Sequence, residues 1–195
     1  LHQVIVARRF RRKKISDMTN EERNLIKECW IMVIGTGTFV SYLKSELKNI
    51  GFSNIVVENG TDSQKNSTTI NIISEYGGNI SSRLVYEMFS APIIYPFDFV
   101  SGAGAMVIMP GDDRELLAQT DLRRWAAEYI SGYCAFWNME GCDWLSEALP
   151  KIRAGAINES AQRLAAHICA RIAANIAVGR EVKHFPRFYL CRNLE

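Results

Sequence analysis

The stretch from Ile31 to Gly60, "IMVIGTGTFVSYLKSELKNIGFSNIVVENG", places the strongest constraint on the fold of this chain. It contains an apolar run, a glycine turn, a segment with apolar residues at helical spacing, and a second apolar run that ends on an acid. These periods predict a strand, a helix from about Thr38 to Asn49, and a second strand. The stretch is therefore a βαβ unit, and its two strands are expected to be parallel.

Strands and helices also alternate along the rest of the chain. "TNEERNLIKECW" predicts a helix that begins with a capping box formed by Thr19 and Glu22. "NESAQRLAAHICARIAANIAVG" predicts a long helix that is capped by Asn158 and ends at Gly179. A third helix is predicted for "SSRLVYEMFS", and a fourth, with a break at Gly132, for "DDRELLAQTDLRRWAAEYISGYCAFWN".

The remaining apolar runs predict further strands. These are "QVIVA", "TINIISEY", "APIIYPFDF" with a break at Pro96, "GAGAMVIMPG" with a glycine turn ahead of its strand, and "RFYLCRN". "GTDSQKNST" is predicted to be a polar loop. The alternation predicts an α/β fold: a doubly wound, mostly parallel sheet with a Rossmann-like nucleotide-binding unit and antiparallel strands at its C-terminal end.

Composition narrows the class of protein. At 195 residues, with 48% hydrophobic and 23% charged residues, the chain is expected to form one globular domain. No apolar run reaches about 18 residues, so no membrane span is expected. The five cysteines contain no C-x-x-C pair, which argues against a structural zinc site and for reduced thiols in the cytoplasm.

Positive charge is concentrated at the beginning of the chain. We expect residues 1–18 to form a basic arm and residues 19–195 to form the globular domain. The arm is either a solvated tail or a clamp for phosphate groups. Nucleic-acid binding is disfavoured because only Phe10 provides an aromatic side chain within the run. The cations of the run are Arg8, Arg9, Arg11, Arg12, Lys13 and Lys14.

The glycine turn of the βαβ unit has the chemistry of an anion site. Gly35 permits a tight turn after the strand, and Gly37 permits close approach of the backbone to a phosphate. The following helix directs its free N–H groups toward the same position. Glu58 follows Gly37 by 21 residues and can accept hydrogen bonds from a ribose. The third glycine of the usual pattern is replaced by Val40, and the motif suits dehydrogenases, methyltransferases and adenylating enzymes alike.

Three segments, in their order and spacing, resemble the ThiF/MoeB and ubiquitin-activating-enzyme family over roughly residues 10–195. They are the βαβ unit, "SAPIIYPFDFVSGAGAMVIMPGDD", and "ESAQRLAAHICARIAANIAVGREVKHFPRFYLCRN". The resemblance implies ATP-dependent adenylation of a carboxylate, followed by acyl transfer to a thiol. It implies that ATP is the cofactor and that magnesium can accompany it. It also implies a homodimer in which a cation from the arm of the partner subunit reaches the phosphates of the bound ATP.

The resemblance also assigns site residues. The catalytic candidates are the arm cations Arg11, Arg12 and Lys13. The ATP-binding candidates are Gly35, Thr36, Gly37, Thr38, Phe39, Glu58, Asn59, Ser74, Glu75, Tyr76, Asn79 and Arg83. The candidates for the substrate pocket are Phe97, Phe99, Ser101 and Gly102, whose neighbourhood would suit a flat ring. No metal ligand is assigned, because the position of the family's magnesium-binding aspartate holds Gly78.

A short, zinc-free chain fits the subgroup that acts in biosynthesis of the iron-guanylylpyridinol cofactor of [Fe]-hydrogenase in methanogens. The substrate implied is then a small-molecule guanylylpyridinol carboxylate, and the acyl acceptor is a cysteine of a separate protein. Cys134 and Cys142 lie where the family can place an acceptor cysteine, although partly buried thiols among aromatic residues give the same pattern. Two alternatives remain: a non-catalytic nucleotide-binding scaffold of the same fold, and an NAD- or FAD-binding oxidoreductase.

Overall fold

A computed structural model of the chain describes residues 18–58, 69–74, 90–113 and 121–192. Within these residues, six strands form a single sheet. The strands are β1 (Trp30–Ile34), β2 (Asn54–Glu58), β3 (Ile70–Ile73), β4 (Ile93–Asp98), β5 (Gly102–Ile108) and β6 (Tyr189–Arg192). The predicted strand "QVIVA", the loop "GTDSQKNST" and the helix "SSRLVYEMFS" lie outside the described residues, as does nearly all of the predicted arm.

The order of the strands confirms the predicted fold class. The sheet runs β2-β1-β3-β4-β5-β6. Strand β1 pairs in parallel with both β2 and β3, and β3 pairs in parallel with β4. The last two pairings, β4 with β5 and β5 with β6, are antiparallel. The fold is thus a mostly parallel α/β sheet that ends in antiparallel strands.

Five helices within the described residues cover this sheet: α1 (Asn20–Glu28), α2 (Thr38–Ile50), α3 (Leu122–Phe136), α4 (Asp143–Arg153) and α5 (Glu159–Ala177). The capping box predicted at Thr19 and Glu22 is present in full. The predicted cap at Asn158 is also present, since its side chain accepts a hydrogen bond from the N–H of Ala161. These local signals were readable because each cap satisfies backbone groups only a few residues away.

The two faces of the sheet bury two separate cores. Ile31 and Val33 of β1 lie in one core, which includes residues of α2 and α5. Met32 and Ile34 lie in the other core, which includes residues of α3 and α4. Alternate residues of a strand point to opposite faces, so a continuous apolar strand indicates a sheet that is covered on both sides.

Three sequence expectations about element boundaries were wrong. Pro96 does not break β4, and it pairs with Ala105 of β5. Strand β3 pairs with β4 only as far as Ile94, so β3 does not need the N–H group that proline lacks. The segment from Gly102 to Gly104 is the beginning of β5 and not a turn. Helix α3 continues through Gly132 because its packing against the sheet outweighs the small helix penalty of glycine.

Helix α4 was missed by the sequence analysis. Its segment, "DWLSEALPKIR", contains Pro150, and a proline inside a helical pattern normally argues against a continuous helix. The structure tolerates Pro150 in the last turn of α4, and the helix is held in place by burying Trp144, Leu145 and Ile152.

Candidate functional site

The carboxyl ends of the four parallel strands lie at the same edge of the sheet. Strand β1 is continued by Gly35, β2 ends at Glu58, β3 is followed by Ser74, and β4 ends at Asp98. The chain passes from β1 to β2 on one side and then to β3 on the other side of β1. The strand order therefore reverses between β1 and β3, and such a reversal opens a crevice at the carboxyl edge of α/β sheets, where ligands bind.

Gly35 lies between the ends of β1, β2 and β3. Its N–H donates to the main-chain oxygen of Glu58 over 3.1 Å, while the N–H of Ser74 donates to the oxygen of Ile34 over 2.8 Å. A Cβ at Gly35 would lie 2.9 Å from the Cβ of Ser74, closer than two such atoms approach, and φ of Gly35 is +145°. Only glycine therefore fits between the ends of β1 and β3.

Gly37 has a different role in the same turn. Its φ of 87° and ψ of −168° lie in a region that is essentially restricted to glycine. A Cβ built at Gly37 meets no atom within 4 Å, so the space beside it is open in the described part of the chain. Residues Thr36, Gly37 and Thr38 are all exposed.

Helix α2 begins at this turn. Its N-cap residue is Gly37, which has no side chain to cap the first turn. The first N–H groups of a helix carry the positive end of its dipole and have no partner inside the helix. The open space beside Gly37 and the beginning of α2 make this turn the candidate site for an anion.

The other predicted nucleotide residues in the described part of the chain surround this turn. Glu58 is half-buried at the end of β2, and Ser74 is completely buried at the end of β3. The Phe39 side chain is only 2% exposed and belongs to the core on the α2 face, so only its main chain faces the turn. The remaining predicted site residues lie outside the described residues; they are Arg11, Arg12, Lys13, Asn59, Glu75, Tyr76, Asn79 and Arg83.

Of the four residues predicted to form a substrate pocket, Phe97, Phe99 and Gly102 are enclosed by other parts of the protein. The rings of Phe97 and Phe99 are 1% and 0% exposed, and they stack with centroids 5.5 Å apart inside the core on the α3 face. A Cβ at Gly102 would meet Trp144 at 2.5 Å, so this position is also filled. Ser101 is half-buried in the β4–β5 connection. Phe97 and Phe99 lie on the same side of the chain as Ile93 and Tyr95, and this side packs into the core on the α3 face.

A buried polar cluster next to the turn was missed by the sequence analysis. Asp98 is 1% exposed and accepts hydrogen bonds from the N–H groups of Val100 and Asn158, each over 2.7 Å. Arg123 is 8% exposed and donates to the main-chain oxygens of Asp98 and Ala156. Burial raises the pKa of Asp98 above its ordinary value, although its hydrogen bonds and Arg123 act in the opposite direction.

This cluster extends to the glycine turn through Gln162 of α5. The side chain of Gln162 is 4% exposed and lies near enough to Asp98 to act on that carboxyl group, whose pKa it lowers. Its Oε1 accepts a hydrogen bond from the Thr38 hydroxyl over 3.1 Å. An acid in the apolar run "IIYPFDF" was the available signal, but the sequence could not name its distant partners, because Arg123 and Asn158 lie 25 and 60 residues further along the chain.

The histidines and the candidate acceptor cysteines lie elsewhere. His184 Nδ1 lies 2.9 Å from Asp112 at the opposite edge of the sheet, and His167 Nδ1 lies 2.8 Å from Glu46 on the surface of α5. Cys134 is buried, and this burial raises the pKa of its thiol to about 12, which disfavours the nucleophilic thiolate. The structure thus agrees with the interpretation of Cys134 as a buried thiol among aromatic residues.

Within the described ranges, no three His, Cys, Asp or Glu side chains are grouped as ligands for a metal ion. None of the helices in those ranges has the length and apolar character of a membrane-spanning segment.

Comparison with known proteins finds no match in sequence and a distant similarity in structure. No family model matches the chain, and no curated protein matches it. Among solved structures, the chain is similar to a protein described as "Heterocyclase in complex with substrate and Cofactor", at 17% identity and a TM-score of 0.46. The similarity covers 84% of this chain and 21% of that chain, so the chain spans about a fifth of the length of its structural neighbour.

Proposed function

We propose that this chain binds ATP at the carboxyl edge of its sheet and uses it to adenylate a carboxylate. The observation that carries the proposal is the glycine turn at the reversal of strand order, where open space beside Gly37 meets the beginning of α2. The phosphates would bind the N–H groups of this turn, and Glu58 would accept from the ribose hydroxyls. The choice of adenylation rests on the resemblance of three sequence segments to the ThiF/MoeB family.

The proposed reaction demands little covalent chemistry from the protein. A carboxylate oxygen attacks the α-phosphorus, the bond to the bridging oxygen breaks, and pyrophosphate leaves. The protein contributes by holding the carboxylate in line and by stabilising the charge that develops on the phosphate oxygens. The N–H groups at the beginning of α2 supply part of that stabilisation. Magnesium would be held largely by the phosphates themselves.

The finer parts of the proposal come from the resemblance alone. The substrate would be a small-molecule carboxylate of the guanylylpyridinol type, and the acyl acceptor would be a cysteine of a separate protein. The site would be completed in a homodimer by a cation from the N-terminal run "RRFRRKK" of the second copy. Deletion of residues 1–14 tests this last part: it should leave the thermal midpoint unchanged and weaken ATP binding. Normal ATP binding by the truncated chain would remove the arm from the proposal.

The first experiment asks which nucleotide binds. Thermal unfolding is followed in the presence of ATP, NAD, FAD and S-adenosylmethionine, since a ligand of the folded state raises the midpoint. ATP should give the largest rise. A larger rise with NAD or FAD would favour the oxidoreductase alternative over adenylation.

The second experiment asks whether the bound ATP reacts. Exchange of labelled pyrophosphate into ATP is measured with guanylylpyridinol-type and other aromatic carboxylates, with and without magnesium. Carboxylate-dependent exchange supports the enzyme. Stoichiometric ATP binding without exchange for any carboxylate would instead favour the non-catalytic scaffold.

A further inference from the structure

The end of helix α3 presents two adjacent aromatic side chains to the surface. Phe136 is 79% exposed and Trp137 is 49% exposed, and their rings meet edge to face with centroids 5.1 Å apart. A single exposed apolar side chain is ordinary on a protein surface, whereas a group of exposed aromatic rings is typical of an interaction surface. This end of α3 is therefore a candidate interface.

A band of aromatic side chains continues from these rings along the same flank of α3. The ring centroid of Tyr133 lies 6.3 Å from those of Trp137 and Tyr129, and Tyr129 stacks on Trp125 over 5.1 Å. Trp125, Tyr129 and Tyr133 are half-buried, and their spacing of four residues aligns them along the helix. No Lys, Arg, Asp or Glu occurs from Tyr129 to Trp137. The core of a protein interface is depleted of charge in the same way.

Gly132 leaves a gap in the surface beside this band. It is exposed within α3, and a Cβ built there meets no atom within 4 Å in the described part of the chain. Phe136 follows one helical turn later and points into solvent without filling the gap. A glycine inside a helix costs about 1 kcal/mol relative to alanine. Neither a positive φ nor a close neighbour among the described residues requires it.

The gap at Gly132 and the ring of Phe136 are complementary to each other across a two-fold axis. They lie four residues apart on one side of α3, about 6 Å along the helix. When two copies of α3 cross, an axis between positions 132 and 136 brings Phe136 of each copy to Gly132 of the other. Rows of residues four apart interdigitate in the commonest packing of two helices, so the crossing is an ordinary one.

We infer that this chain forms a two-fold dimer in which the α3 helices cross and each Phe136 ring enters the gap at Gly132 of the second copy. An unrelated partner would use only the ring or only the gap, whereas a surface that presents both, one turn apart, fits itself. The same contact covers Trp137 and the outer edges of the aromatic band. Because it uses α3 alone, the inference goes beyond the proposed nucleotide site and does not depend on it.

The exposed area indicates how strong this dimer is. With about 200 Å² for a whole aromatic side chain, Phe136 and Trp137 together offer about 250 Å² per copy. The half-buried rings add to this area, and the sum lies toward the lower end of specific interfaces, near about 1,200 Å² for both copies. A reversible dimer is therefore expected, and its dissociation constant has to be measured over a wide range of concentration.

Sedimentation velocity of the full chain, without nucleotide, measures the dissociation constant of the dimer. Phe136→Ala removes the ring, and Gly132→Phe fills the gap. Each should weaken association about 30-fold, as expected for loss of a central aromatic contact. The double variant exchanges the positions of the ring and the gap, so association should return to within about 3-fold of the wild-type value.

Two controls separate the interface from general damage. Thermal unfolding at a low concentration, where the chain is monomeric, checks that each variant folds. Ile157→Ala removes another exposed apolar side chain, 61% exposed, and should leave the dissociation constant unchanged. Its neighbour Ala156 contacts Arg123 at the opposite end of α3, so this position lies away from the proposed contact. Recovery in the double variant is itself diagnostic, because two substitutions that only damage the fold would add their effects.

Three results would overturn the inference. The wild-type chain would sediment as a monomer up to about 0.5 mM, where a dimer with a Kd of about 1 mM is still visible. Alternatively, a dimer would form but resist both single substitutions, which would place the contact on another surface. Finally, the double variant would associate no better than the single variants, which would mean that the ring and the gap do not meet. None of these results bears on nucleotide binding, which is measured separately.

Discussion

The chain contains two glycine-x-glycine segments in the same sheet: residues 35–37 follow β1, and residues 102–104 begin β5. In the first, φ is +145° at Gly35 and +87° at Gly37, and the space beside Gly37 is open. In the second, neither glycine has a positive φ, and a Cβ at Gly102 or Gly104 would lie 2.7 Å or less from an aromatic ring. The glycines of residues 35–37 allow the backbone to turn, whereas those of residues 102–104 allow aromatic rings and the backbone of β6 to pack closely against β5.

This difference shows what a glycine pattern can and cannot predict. Both segments were interpreted as glycine turns, because the pattern indicates only that a side chain is absent. In the first segment the absence accommodates the backbone conformation and leaves room for a ligand. In the second it accommodates Trp144, Phe99 and the backbone of β6, so the space is already used by the protein. Substitutions in the two segments should therefore act on different properties.

The largest effect is expected for Gly102→Ala, which should lower the free energy of unfolding by about 3 kcal/mol. The added methyl group would lie 2.5 Å from both the ring of Trp144 and the main-chain oxygen of Cys191, and a backbone atom cannot move aside cheaply. Urea denaturation measures the change. The matched control is Gly132→Ala, at an open position of α3, which should stabilise the chain by about 0.5–1 kcal/mol. A Gly102→Ala chain as stable as the wild type would show that this glycine does not serve packing.

The next effect is expected for Gly37→Ala, which should cost about 2 kcal/mol of stability through backbone strain alone. The methyl group meets no protein atom within 4 Å, so it would occupy the open space assigned to phosphate. ATP affinity should fall more than 10-fold, whereas the Gly102→Ala chain, where folded, should bind ATP normally. Equal ATP affinities in the two variants would remove the distinction between the segments.

A smaller effect is expected for Glu58→Ala, which should weaken ATP binding by about 1–2 kcal/mol because a charge-assisted hydrogen bond to the ribose is lost. Binding is compared for ATP and for 2′,3′-dideoxy-ATP, which lacks both hydroxyl groups. The loss should occur for ATP and disappear for the dideoxy nucleotide. A loss of the same size for both nucleotides would place Glu58 away from the ribose.

The smallest effect is expected for the dependence of stability on pH that comes from Asp98, at the end of β4. Burial raises the pKa of Asp98 above its ordinary value of 3.8, so the folded chain binds this proton more tightly than the unfolded chain does. Stability from this group is fully present below pH 3.8 and is lost as pH rises through the folded pKa. Asp98→Asn is the reference variant, because its side chain does not titrate and changes the free energy of unfolding by the same amount at every pH. The stability of the wild-type chain relative to this variant should fall as pH rises from the ordinary pKa, and a flat difference would contradict the raised pKa.

The sequence predicted the elements of the fold well, except where a single residue was given too much weight. Pro96 and Gly132 suggested breaks in a strand and a helix, and both elements are continuous, while the helix that contains Pro150 was not predicted at all. The turn of the candidate site was also predictable, because Gly35, Gly37 and the beginning of α2 lie within a few residues of one another. Their conformations follow from local sterics, which the sequence contains in full.

What the sequence determined by itself was the βαβ unit, the caps at Thr19 and Asn158, and the covering of the sheet on both faces. Each of these follows from periodicity or from bonds between near neighbours in the chain. Only the tertiary structure decided that Phe97 and Phe99 belong to the core, that Trp144 packs against Gly102, and that Gln162 of α5 hydrogen bonds with Thr38. The reason is physical: these contacts join residues far apart in the chain, and their geometry is set by how α4 and α5 pack on the sheet, which no local pattern records.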